Sequence, residues 1–219
     1  MKTKLTILLL LLFTNVVNAQ FNSGQKMMGG QLGFGYYSND QASNGIFKST
    51  SISSTISLAK FVSPSLFNEW GVNYSYSYSH YPSNANNIDE KIYNHSFSSY
   101  FSRTKLNSLG KNFFLGFTGT GAAQFQFGKN NYITGDYDKI NSYQVSINGG
   151  MGLYYKMNRR FLLNCGLSNL LSLSFSHGQT NSYSGSSTIS QTNSGINLST
   201  GLSGFSFYNL TIGFRYLIK

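Results

Sequence analysis

The pattern of apolar and polar positions alternates with a period of two over several long stretches. The clearest runs from Phe113 to Phe127, where Phe113, Leu115, Phe117, Gly119, Gly121, Ala123, Phe125 and Phe127 are interleaved with Phe114, Gly116, Thr118, Thr120, Ala122, Gln124 and Gln126. Successive side chains of a strand point to opposite faces, so this alternation predicts a strand with one apolar and one polar face. The same pattern recurs at Tyr143–Leu153, at Phe161–Phe175 and at Trp70–Tyr78. Weaker segments lie around Leu32–Tyr36, Ile52–Leu58, Phe97–Phe101 and Tyr208–Ile218. In the fourth of these eight segments Tyr100 and Phe101 are adjacent, which leaves two registers open. The clear runs are about ten residues or more, long for a globular strand and suited to a tilted membrane strand.

The connections alternate in length. Short ones fall near Phe61–Leu66, Lys105–Asn112 and Lys156–Arg160, and long polar ones at Asn39–Phe47, Ser79–Asn94, Gly128–Asn141 and His177–Ser194. Short turns on one side and long loops on the other are the rhythm of bacterial outer-membrane barrels. The expected fold is therefore all-β, an eight-stranded antiparallel up-and-down transmembrane β-barrel with both termini and the short turns on the periplasmic side. In lipid, closure of the sheet is what pairs every strand N–H and C=O.

Composition supports that reading. Charged residues make up 10% of the chain, against the roughly 25% usual in soluble domains, and aromatics reach 16%. The polar face of the strands is Ser, Thr, Asn, Gln and Gly, which fits a packed barrel interior better than a soluble surface. Eight strands enclose a lumen that side chains fill. The sidedness expected is that Phe117, Val145 and Leu163 meet lipid while Thr118, Gln144 and Asn164 point to the axis.

At the N-terminus, Lys2 and Lys4 precede an apolar run from Leu5 to Phe13 and a Val17-Asn18-Ala19 junction. That is the layout of a secretory signal peptide, residues 1–19, leaving 20–219 as the barrel domain. The apolar run is about half of what a spanning helix needs. Cys165 has no partner for an internal disulfide and reads as a small apolar residue.

The formal net charge is +10. Lys26, Lys60, Arg103, Lys105, Lys111, Lys156, Arg159, Arg160, Arg215 and Lys219 fall toward the periplasmic side, with Glu69 the one acid there. Asp40, Lys48, Asp89, Glu90, Lys91, Lys129, Asp136, Asp138 and Lys139 fall in the outer loops and nearly cancel. A basic rim of this kind attracts anionic headgroups of the inner leaflet, at about 1 kcal/mol per residue. An exported barrel has no access to nucleic acid. Aromatics are expected in two interfacial girdles, Phe61, Phe67, Trp70, Phe161, Phe214 and Tyr216 toward the turns, and Tyr36, Tyr78, Tyr81, Phe127, Tyr143 and Phe175 toward the loops.

With this layout, the turn Phe61-Val62-Ser63-Pro64 and the ending Leu210-Thr211-Ile212-Gly213-Phe214-Arg215-Tyr216, the chain resembles the small OmpA/OmpX-like outer-membrane β-barrel family over nearly all of Gln20–Lys219. The resemblance implies a last strand read by the barrel-insertion machinery. The family commonly ends on an aromatic residue, whereas here Tyr216 precedes the final Lys219 by three positions.

Candidate chemistry is sparse. Ser176-His177 sits at the loop end of the seventh segment, where outer-membrane lipid A deacylases and acyltransferases place Ser and His, but no carboxylate that would orient the imidazole stands out. His80, His95 and His177 match no metal-ligand spacing. Gly119-Thr120-Gly121 and Gly33-Phe34-Gly35 open no helix, so they are not phosphate loops. Glu69 and Arg215 share the inward face near the periplasmic end, and a carboxylate in a packed lumen needs a cation; Arg215, Arg103 or another inward base is the expected partner. No catalytic, cofactor or metal residue is assigned. The expected function is a non-enzymatic, monomeric envelope protein among outer-membrane lipids, presenting four Ser/Asn/Tyr-rich loops to an unspecified partner. The alternatives are narrow porin-like transport, binding of a small hydrophobic ligand or, last, lipid A modification.

Overall fold

The computed structural model describes residues 21–41, 45–81, 90–132, 134–200 and 210–218. The predicted signal peptide and its junction, together with Asp89 and Lys219, lie outside the described residues. Among the described residues nine strands follow in order: β1 (Lys26–Gln41), β2 (Gly45–Ser63), β3 (Leu66–Tyr81), β4 (Glu90–Ser108), β5 (Phe113–Tyr132), β6 (Tyr137–Lys156), β7 (Phe161–Ser184), β8 (Ser187–Thr200) and β9 (Leu210–Ile218). All neighbours are antiparallel, and no helix is long and apolar enough to cross a membrane among the described residues.

Each strand from β1 to β7 pairs with the next. β9 then pairs with β7 over Phe161–Leu167 and with β1 over Lys26–Leu32, which joins the two ends of the sheet into a ring. The ring is staggered. Cross-strand partners followed from Gly30 through Ile56, Val72, Ser99, Ala123 and Val145 arrive on β7 at Phe175, whereas the route through Phe214 of β9 arrives at Leu163. Such a stagger obliges the strands to tilt around the axis of the ring.

More than eight strands are present, so the expected count is corrected. The segment predicted as the loop His177–Ser194 is a hairpin: β7 continues to Ser184, Gly185 takes a left-handed φ of 56° in the turn, and β8 pairs with β7 over Leu171–Ser184. β8 exposes all fourteen of its residues. Among the described residues β8 pairs with β7 alone, and β1 beyond Leu32 pairs with β2 alone. The other long connections are likewise shortened by strand, with β5 reaching Tyr132 and β6 starting at Tyr137. A ladder of backbone hydrogen bonds needs no apolar stripe, so these two-sided polar segments pair without the alternation that would have revealed them. The three short turns stand where the sequence put them.

The sidedness is as expected. Phe117, Val145 and Leu163 are on the outside, and so are Phe34, Ile56, Trp70, Ile147 and Ile212, these last five each more than 60% exposed. Asn164 is buried, and Thr118 and Gln144 face inward. In β4 Phe97 and Phe101 project outward and Tyr100 inward, which resolves that strand's register.

Candidate functional site

The interior has two levels. At the turn end it is filled by Phe21, Met27, Phe61, Phe67, Leu106, Phe114, Tyr154, Leu162 and Leu217, which are buried and apolar. Phe21 stacks on Phe61 with ring centroids 4.5 Å apart, and Phe61 meets Phe67 edge-on at 5.4 Å. The chain before β1 is clipped into this plug, since Gly24 N donates to Phe61 O at 2.8 Å and Phe61 N to Gln25 O at 2.9 Å. The expected turn-side girdle is thereby corrected. Phe61 and Phe67 lie on inward positions and have no exposure, while Trp70, Phe161, Phe214 and Tyr216 do face outward. Tyr81 is corrected as well, since it faces inward at the loop end against Phe47, 4.3 Å away.

A charged cluster sits directly on the plug. Arg215 Nη2 donates to Glu69 Oε2 at 2.7 Å, and both residues are buried, at 8% and 3% exposure. Arg215 Nη1 donates to Asn164 Oδ1, and Tyr100 OH donates to Glu69 Oε1 at 3.3 Å. The guanidinium carbon lies 5.5 Å from the Phe67 ring and 5.4 Å from that of Tyr154, so the cation is held between a carboxylate and two aromatic faces. The predicted partnership of Glu69 and Arg215 is therefore formed. Arg103, the other candidate, faces outward and donates to Asn68 at 2.9 Å.

The local sequence makes room for this cluster. A Cβ on Gly71 would come within 2.4 Å of the Tyr100 ring, and one on Gly116 within 2.4 Å of Tyr154. Glycine at these two positions lets a large inward ring lie flat against the neighbouring strand.

Above the cluster the interior opens into a cavity of about 430 Å³. Its wall carries hydroxyls and amides between Ala122, Met151, Tyr154 and Leu167: Thr104 and Thr118 meet at 2.9 Å, and the wall residues Ser75 and Asn148 bond to Ser96 at 2.7 Å and Ser172 at 2.6 Å. These groups satisfy one another across strands. Toward the loop end, Glu90, Tyr132 and Asp138 share the inward face, with Tyr132 OH donating to Asp138 at 2.7 Å. Burial first, then the Asp138 charge, raises the Glu90 carboxyl above its ordinary value. Burial and the bond to Asp138 push the Tyr132 phenol up to about 12, which keeps it a donor at ordinary pH.

The candidate catalytic and metal-binding residues are not brought together. Ser176 and His177 are successive strand residues and project to opposite faces; His177 Nδ1 shares a hydrogen bond with Ser194 Oγ at 2.8 Å on the outside. His95 lies in the outward aromatic belt, stacked on Phe127 at 5.0 Å and bonded to Tyr74 OH at 2.9 Å. Among the described residues no three His, Cys, Asp or Glu side chains converge. Cys165 is exposed on the outward face.

Compared with known proteins, the sequence matches no family model and no curated protein. Among solved structures, a major outer membrane protein from Thermus thermophilus is similar at 14% identity and a TM-score of 0.48, over 88% of this chain and 99% of that one. The translocator domain of autotransporter NalP from Neisseria meningitidis is similar at 10% identity and a TM-score of 0.27, over 98% of this chain and 94% of that one.

Proposed function

We propose that this chain is an integral β-barrel of the bacterial outer membrane, exported by a signal peptide cleaved after Ala19, with both termini in the periplasm and a structural and surface-presenting role. The observation that carries the reading is the radial inversion: large apolar side chains point out around the ring while Ser, Thr, Asn and the Glu69–Arg215 pair point in. In water that arrangement would expose a contiguous apolar band far larger than soluble monomers tolerate. In hydrocarbon the same band is solvated, and over Lys26–Leu32 and Phe161–Leu167 the closed ring pairs the strand backbone that lipid cannot.

The plug of Phe21, Phe61, Phe67 and Phe114 disfavours the porin-like alternative, because it fills the interior at the turn end. The hydroxyls, amides and the Glu69–Arg215 pair in the cavity wall disfavour a wholly hydrophobic ligand. The reading carries no catalytic activity, which the opposite projection of Ser176 and His177 supports, and lipid A mass spectrometry with and without expression tests it. The barrel is proposed as a monomer delivered by the insertion machinery through its last strand. Electrophoretic mobility of the outer-membrane fraction with and without boiling tests location and closure together. A heat-dependent shift in that fraction is expected; recovery of the protein as a soluble periplasmic species ends the reading.

A further inference from the structure

At the loop end of β2–β6, basic side chains gather on the outward face. Lys48, His80 and Lys91 are successive neighbours on β2, β3 and β4 in one cross-strand row, and all three occupy outward positions. Lys129 and Lys139 face each other directly across β5 and β6 in the adjoining row, also outward and exposed. Like charges directly opposite on one face destabilise a sheet. Tyr137 carries both, with Lys129 Nζ 4.3 Å and Lys139 Nζ 5.9 Å from its ring centroid, and Tyr183 stacks on Tyr137 at 4.6 Å with Lys139 5.4 Å away. Among the described residues no outward position of these two rows holds an acid. The acids of this level, Glu90 and Asp138, are turned inward. Immediately toward the turn end of the lysines comes a belt of outward rings, Tyr76, Tyr78, Tyr93, His95 and Phe127.

We propose that the outward lysines of β2, β4, β5 and β6 form a binding surface for a phosphorylated glycolipid of the outer leaflet, with Lys129 and Lys139 clasping one phosphate between them. The inference rests on the membrane reading above, which places the aromatic belt at the interface and the lysines one step beyond it, at headgroup level. Charge complementarity then selects the occupant: Lys129 and Lys139, two ammonium groups held against tyrosine rings at cross-strand spacing, fit an anionic headgroup whose acyl chains lie along the apolar wall below. A soluble polyanion would match the charge but would leave that wall unused.

The test is native mass spectrometry of the detergent-folded protein with bisphosphorylated lipid A, with the same lipid after dephosphorylation, and with inorganic pyrophosphate. Lipid A is expected to bind, and removing its phosphates to weaken it. The Lys129→Gln/Lys139→Gln pair is expected to lose about thirtyfold in affinity and Lys129→Gln alone about fivefold, the effect of one or two charges beside an anionic surface. Lys26→Gln/Lys60→Gln, a directly opposed outward pair at the other rim, is expected to lose less than the Lys129/Lys139 pair. The proposal is overturned if the Lys129/Lys139 pair or the single variant binds as the wild type does, if the Lys26/Lys60 pair weakens binding equally, or if pyrophosphate alone binds as tightly as the lipid. Heat-shifted mobility of the same preparations separates the two readings: a protein that shifts and binds no glycolipid loses this inference alone, and one that does not shift loses the barrel.

Discussion

Arg215 on β9 reaches across the interior to Glu69 on β3, and the two meet at 2.7 Å with almost no access to solvent. Their strands are not neighbours in the ring, so the contact ties opposite walls together just above the apolar plug. Removing one partner leaves the other charge buried and uncompensated.

Glu69→Ala is therefore expected to destabilise the folded protein by about 3–5 kcal/mol, and Arg215→Met by a similar amount. The double variant should recover a large part of the loss, because no orphan charge remains. Urea unfolding in detergent micelles measures all three. Additive losses in the double variant would mean that the two residues act separately.

The plug makes a second claim. Phe61→Ala and Phe67→Ala each remove a fully buried ring and should cost about 3–5 kcal/mol. The wild-type protein is expected to give no stable conductance steps in a planar bilayer, while Phe61→Ala/Phe67→Ala/Phe114→Ala, if it inserts, is expected to show small ones. Steps from the wild type would restore the pore.

Gly71 tests the packing of the cluster. Gly71→Val puts a branched side chain where the Tyr100 ring now lies, so Tyr100 must leave Glu69. The expected result is a lowered urea midpoint, with Tyr100→Ala in the same background restoring part of it. An unchanged midpoint for Gly71→Val would show that the ring moves aside freely.

At the loop end the sign of a pH effect follows from Glu90. Its carboxyl titrates above its unfolded value of 4.5, so the folded state holds the proton more tightly. Stability contributed by this group is greatest below that unfolded value and declines as pH rises through the folded one. In Glu90→Gln this decline should disappear, giving a flatter midpoint-versus-pH curve just above pH 4.5. A steeper curve in the variant would contradict the assignment.

Most of the ring is legible in the sequence because lipid-facing strands carry one strong signal, alternation, and β3, β5, β6 and β7 show it over their whole central length. Glu69 and Arg215 could be matched for the same reason, since their parity set them inward and burial demanded a partner. Height along the strand puts Phe61 and Phe67 at the turn-side interface, but Phe61 has the parity opposite to Leu58 and Phe67 that opposite to Trp70, which sends both inside. β8 was missed because Ser187–Thr200 has only Ile189, Ile196 and Leu198 among polar residues and no sustained period. The near balance of the loop charges hides that Lys129 and Lys139 face outward while Glu90 and Asp138 face inward, because net charge carries no information on faces.

On the membrane reading, the aromatic stopper at the turn end gives the described barrel the topology of a cup, not a pipe. On that reading, whatever water fills the hollow above Arg215 would enter and leave through the loop-side rim. Concentration differences between the two compartments would then have no continuous aqueous path along the axis, however polar the wall.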